Sequence, residues 1–65
     1  MNIDLNKVKI YQARECLSID EIVLKTGLGR TTVSKTFNGK LKPTPKTIGL
    51  IAKALNVDVT DILHH

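Results

Sequence analysis

Apolar side chains recur every three or four positions along most of this 65-residue chain, the spacing of helices that bury one face. No run alternates apolar and polar residues for long enough to predict a sheet. Five short helices are expected. The first runs from about Leu5 to Glu15, with Asp4 or Asn6 as its cap and Leu5, Val8 and Tyr11 or Gln12 along one side. The second starts at Ser18, where Glu21 three residues on completes a capping box, and Ile22 and Val23 face inward. Thr26-Gly27 ends it, Gly27 supplying the positive φ of a sharp turn.

The third helix opens at Gly29 or Arg30 and stops at Asn38-Gly39. At 100° per residue, Gly29, Val33 and Phe37 share one arc, and Thr31, Ser34, Lys35 and Asn38 share the opposite one. A basic loop, 40–43, follows. Thr44-Pro45 places a threonine at N-cap and a proline at the first helical position of the fourth helix, whose buried stripe is Ile48, Ile51, Ala52 and Leu55. Asn56 fits the residue just past its end. Asp58 or Thr60 caps a short fifth helix through Val59, Ile62 and Leu63. The expected fold class is all-α, a compact five-helix single domain over residues 1–63. Cys16 is read as small filler at the corner between the first two helices. His64 and His65 fit either native residues or the start of an affinity tag, the tag being the preferred reading, and are given no function.

Charge changes this picture. The net charge is +4, and from Ile22 to Val57 there are seven basic side chains and no acidic one. All six carboxylates, Asp4, Glu15, Asp20, Glu21, Asp58 and Asp61, lie outside that stretch. Inside it, the third helix carries Thr31, Thr32, Ser34 and Thr36, residues that helix propensity alone would not select. A solvated polar face would use more Glu, Lys or Gln. Small hydroxyl side chains suit close approach to a surface. The best match for a partner is double-stranded DNA, whose phosphates attract cations and whose base edges accept and donate hydrogen bonds.

Two short helices with a glycine turn between them make a helix-turn-helix, here residues 18–38. Around it, LSIDEIVLKTGLGRTTVSKTFNGKLKPTPKTIGLIAKALNVDVTDI, residues 17–62, resembles the lambda repressor/Cro/Xre-like family of DNA-binding domains. The shared features are Leu17-Ser18, Gly27, Val33, the Asn38-Gly39 stop, Pro43, the run from Ile48 to Val57 and the D-V-T-D-I close. G-L-G before the third helix and F-N-G after it are similar to lambda-type phage repressors. Four positions depart from the family's pattern. Ile19 stands where many members carry a Gln that touches DNA backbone. Gln12 and Phe37 stand where many have a buried Arg–Glu pair; both partners are replaced together, so no orphan charge is implied. Val23 stands where Ala is usual.

The resemblance implies sequence-specific double-stranded DNA binding by a transcriptional regulator, a phage or bacterial repressor, with the third helix in the major groove. Base readout is expected from Arg30, Thr31, Ser34 and Lys35, Arg30 being able to fork onto guanine O6 and N7. Backbone contacts are expected from Ser18, Thr32, Asn38, Lys40 and Lys42, while Lys25, Lys46 and Lys53 read as solvated. A weak homodimer on a palindromic operator is expected, its only spare apolar residues being Val59, Ile62 and Leu63. The alternatives are an antitoxin-type regulator that also grips a toxin, and a protein-interaction module of the same fold that has lost DNA binding. No cofactor, small-molecule ligand, membrane association or enzymatic activity is expected. Histidines occur only at the end, so Cys16 has no base, and a metal site has no ligand spacing. A single cysteine fits the reducing cytoplasm.

Overall fold

The computed structural model describes residues 2–64; Met1 and His65 lie outside the described residues, and with His65 part of the tag reading. Five helices follow one another in the order α1 Leu5–Arg14, α2 Ile19–Thr26, α3 Arg30–Phe37, α4 Pro45–Ala54 and α5 Val59–Ile62. None is long and apolar enough to cross a membrane.

Four of the five helices start where a side chain accepts from first-turn amides that lack a partner within the helix. The Asp4 carboxylate accepts from the amides of Asn6 and Lys7 at 3.0 and 3.2 Å and caps α1. The Ser18 hydroxyl accepts from the Glu21 amide at 3.1 Å, and Glu21 accepts from the Ser18 amide at 3.0 Å, which is the expected capping box of α2. Thr44 caps α4 with Pro45 behind it. Asp58 and Asp61 form a second capping box on α5.

Three helices end in the same motif. The residues at Cys16, Gly39 and Asn56 take φ of 55°, 75° and 58°. In each case their amide and the next one bond back into the last turn: Cys16 to Ala13 and Leu17 to Gln12, Gly39 to Thr36 and Lys40 to Lys35, Asn56 to Lys53 and Val57 to Ala52. These are Schellman closures. Asn56 was expected there. Cys16 was not: it is an exposed, left-handed cap, and the reading of Cys16 as corner filler is corrected. α1 accordingly ends at Arg14, one residue early.

The core gathers Val8, Ile22, Val33, Phe37, Ile48, Ile51, Ala52, Leu55 and Ile62 from all five helices. Each fully buried large aliphatic side chain contributes about 1.5–3 kcal/mol by leaving water. The α2–α3 pair packs on itself, with α2 also against α4, and α1 docks on α3 and α5. Phe37 is buried, as expected for a chain lacking the Arg–Glu pair, and Gln12 donates from Nε2 to the Leu17 carbonyl at 3.0 Å.

The chain ends meet. Ile3 and Leu63 form an isolated antiparallel bridge. The Asp4 amide donates to the Ile62 carbonyl at 2.7 Å and the His64 amide to the Asn2 carbonyl at 2.8 Å. Leu63 is therefore extended rather than helical. This corrects the expectation for self-association. Ile62 is fully buried, and Val59 and Leu63 pack against the core. The exposed large apolar side chains lie elsewhere: Ile10 on α1 at 63 %, Leu24 on α2 at 82 %, and Leu41 in the loop after α3.

Candidate nucleic-acid interface

α2 and α3 meet at a turn that two devices fix. Gly27 takes φ 72° and its amide bonds the Val23 carbonyl at 2.9 Å. Thr26, buried at the end of α2, donates its hydroxyl to the Ile22 carbonyl at 2.7 Å and accepts from the Leu28 amide at 3.2 Å. One side chain thus closes α2 and holds the first residues that lead into α3. Sequence reading missed Thr26, because Thr before Gly reads simply as a helix end.

α3 turns one face inward and the other to solvent. Val33, Thr36 and Phe37 are buried. Thr36 donates to the Thr32 carbonyl at 2.7 Å and touches no solvent, so it belongs to the core and not, as the serine and threonine count suggested, to the outer surface. Arg30, Thr31 and Lys35 are exposed, and Ser34 and Thr32 are half-buried. Arg30, Thr31, Ser34 and Lys35 together line one shallow depression of about 310 Å³. Their spacing of i, i+1, i+4 and i+5 explains this, since one turn of helix stacks the two pairs. No side chain caps the start of α3 at Gly29.

The residues expected to hold phosphate are more dispersed. Lys40 and Lys42 are exposed on the loop after α3 and line a separate groove of about 480 Å³ with Asn2, Ile3, Leu5, Leu41 and Pro43. Asn38 is the exposed C-cap of α3, its amide bonded to the Ser34 carbonyl at 3.0 Å. Ser18 is exposed at the N-terminus of α2, where its hydroxyl already serves the capping box. Ser18, Thr32 and Asn38 line neither cavity.

The charge map of the fold differs from that of the chain. Asp20, on the first turn of α2, makes an ion pair with Arg30 on the first turn of α3. The stretch without acids in the sequence therefore receives a carboxylate in space. No local signal could have shown this, because the partners are ten positions apart on different helices. Beside it, the Ser18 amide and hydroxyl hold the Glu21 carboxyl below its ordinary range.

Comparison with known proteins fits this geometry. The family model described as helix-turn-helix matches residues 10–62. A protein named as an uncharacterized HTH-type transcriptional regulator, from Methanocaldococcus jannaschii, is 35 % identical over 57 residues, covering 88 % of this chain and 86 % of that one. No solved structure gives a significant match. With five helices, the glycine turn between α2 and α3 and a family match from α1 to α5, the chain belongs to the lambda repressor/Cro/Xre-like helix-turn-helix family of DNA-binding regulators.

Proposed function

We propose that this domain binds double-stranded DNA sequence-specifically, with α3 lying in the major groove. The observation that carries the reading is the shared depression of Arg30, Thr31, Ser34 and Lys35 on the outward face of α3. An eight-residue helix is about 12 Å long, close to the width of the B-form major groove. In this reading Arg30 forks onto a guanine, Thr31 offers its methyl to a thymine, Ser34 permits close approach, and Lys35 reaches a base acceptor. Ser18, Thr32, Asn38, Lys40 and Lys42 take phosphates on either side.

The domain's Cα atoms extend 28 × 23 × 18 Å, less than one turn of DNA at about 34 Å. One copy therefore reads a half-site, and two copies pair on a palindromic operator. Ile10, Leu24 and Leu41 are the apolar side chains available to such a contact, and scattered single residues of this kind support only weak association. Repression of a phage or bacterial promoter is the accompanying proposal. It rests on the flanks of α3, since the relative described above is archaeal. A domain that pairs only on DNA sediments as a monomer at low micromolar concentration; a tight free dimer would remove this part.

Selection of bound sites from random duplexes supplies the operator, and two variants then test the assignment. Arg30→Ala should cost about 1–3 kcal/mol on the selected site and relax base choice at one position. Lys42→Ala should weaken all duplexes alike and reduce the log–log salt slope by about 0.9. Equal losses from Arg30→Ala on selected and random DNA would make Arg30 a phosphate contact. A salt response that is flat for the parent protein would remove DNA binding altogether.

A further inference from the structure

We infer that Asp20 is a specificity-determining positioning residue, which acts through the guanidinium of Arg30. This rests on the DNA reading above and goes beyond it, since Asp20 belongs to neither set of contact residues.

Three observations carry it. Asp20 Oδ1 pairs with Arg30 Nη1 although both side chains are largely exposed, at 64 % and 70 %. A long arginine at the surface has many rotamers to lose, and here one of them is selected. Arg30 also occupies the first position of α3, the positive end of the helix, where a cation is disfavoured. Asp20 stands in the first turn of α2, where a carboxylate is favoured, so the two helix ends bias the pair to form. Finally, Arg30 is one wall of the depression that it shares with Thr31, Ser34 and Lys35.

The pair uses one nitrogen of a planar fork with five N–H donors. A guanidinium bound at Nη1 can still present its Nε–Nη2 edge to two acceptors on a single base. Phosphate oxygens are the competing target for the same cation. A carboxylate beside the guanidinium lowers the gain from phosphate, which is the sequence-independent part of binding. It leaves the directional contact with a base edge in place and removes the rotational freedom that such a contact would otherwise have to freeze. Asp20 thus lowers affinity for DNA in general and raises the preference for one base.

The test is Asp20→Asn, measured on the selected site and on a random duplex, alone and with Arg30→Ala. Expected is tighter binding to random duplex with a salt slope steeper by about 0.9. The ratio of selected to random affinity should fall about tenfold, with relaxed choice at the base pair that Arg30 reads. Asp20→Glu should restore part of that ratio. In the Arg30→Ala background, Asp20→Asn should leave base preference unchanged. Thermal melting by circular dichroism separates these effects from loss of fold. An equal change on both duplexes, or the same change in ratio without Arg30, overturns the inference and leaves Asp20 a mere unit of surface charge. If the parent protein prefers no duplex at all, it is the DNA reading that fails, before Asp20 is tested.

Discussion

Thr26 and Thr36 allow one substitution to be made twice with opposite expectations. Both threonines are buried, both lie in helices, and both donate to the carbonyl four residues back, at 2.7 Å. Thr→Val keeps the shape, and the two residues have similar helix propensity, so that term cancels. At position 36 the hydroxyl serves only the Thr32 carbonyl. Removing it takes its own donor away, and the carbonyl keeps its helical amide. A methyl in a site with no solvent exposure then offsets the lost bond, and Thr36→Val should change stability by no more than about 0.5–1 kcal/mol. At position 26 the hydroxyl also accepts from the Leu28 amide, which has no other partner among the described residues. Thr26→Val strands that amide in a half-buried turn, at a cost of about 1–3 kcal/mol. A domain of this size has about 3–10 kcal/mol in total. With about 4–8 °C per kcal/mol, Thr26→Val should lower the melting temperature by roughly 5–20 °C. Urea unfolding followed by far-ultraviolet circular dichroism compares the two variants directly. Equal stability of both, or a Thr26→Val protein as stable as the parent, would mean that the turn is not held by this hydroxyl.

Other expectations follow from the same geometry. Phe37→Glu would place a carboxylate in the core opposite no cation, costing about 3–5 kcal/mol and leaving little folded protein at neutral pH; parent-like unfolding in urea would mean that Phe37 is not buried. Asp4 and Glu21 both have carboxyls held low, Asp4 chiefly by the Lys7 amide and Glu21 chiefly by the Ser18 amide. A depressed folded pKa contributes stability above the unfolded value, so urea midpoints should hold near neutrality and fall as pH drops through and below the ordinary carboxylate range. Glu21→Gln keeps an acceptor for the cap and should flatten part of that slope; an unchanged slope would remove Glu21 from the account. Cys16→Gly should raise stability by about 0.5 kcal/mol, because a side chain at φ 55° costs more than the entropy that glycine adds to the unfolded chain. A lower melting temperature would show that the Cys16 side chain packs.

Local chemistry was legible in the sequence, and contacts across the fold were not. Ser18 with Glu21, Gly27, Thr44-Pro45 and Asn56 each announce a helix boundary through bonds that span five positions or fewer, and all appear where the pattern put them. Periodicity also placed Val33 and Phe37 inside and Thr31, Lys35 and Asn38 outside. The count of serines and threonines misled at Thr36, because a hydroxyl that bonds the carbonyl one turn back can be buried, and residue type alone does not reveal that. The Asp20–Arg30 pair and the Ile3–Leu63 bridge join residues that no helical period relates. Leu24, at 82 % the most exposed of the large apolar side chains described, lies on the outward side of α2, away from Ile22.

The bridge between the chain ends also bears on how the domain breathes. It joins residues about sixty positions apart, so forming it closes a long loop, and it is held by two amide–carbonyl bonds. α1 has one fully buried side chain, Val8, and docks on α3 and α5 beside this clasp. Release of the clasp therefore frees α1 at a fraction of the global unfolding energy while α2, α3 and α4 stay packed. In hydrogen exchange, the Asp4 and α1 amides should then open together and sooner than those of α4; uniform protection would make the five helices one cooperative unit. The surface offered by α3 is then carried by the part that stays closed, and opening starts at the Ile3–Leu63 seam.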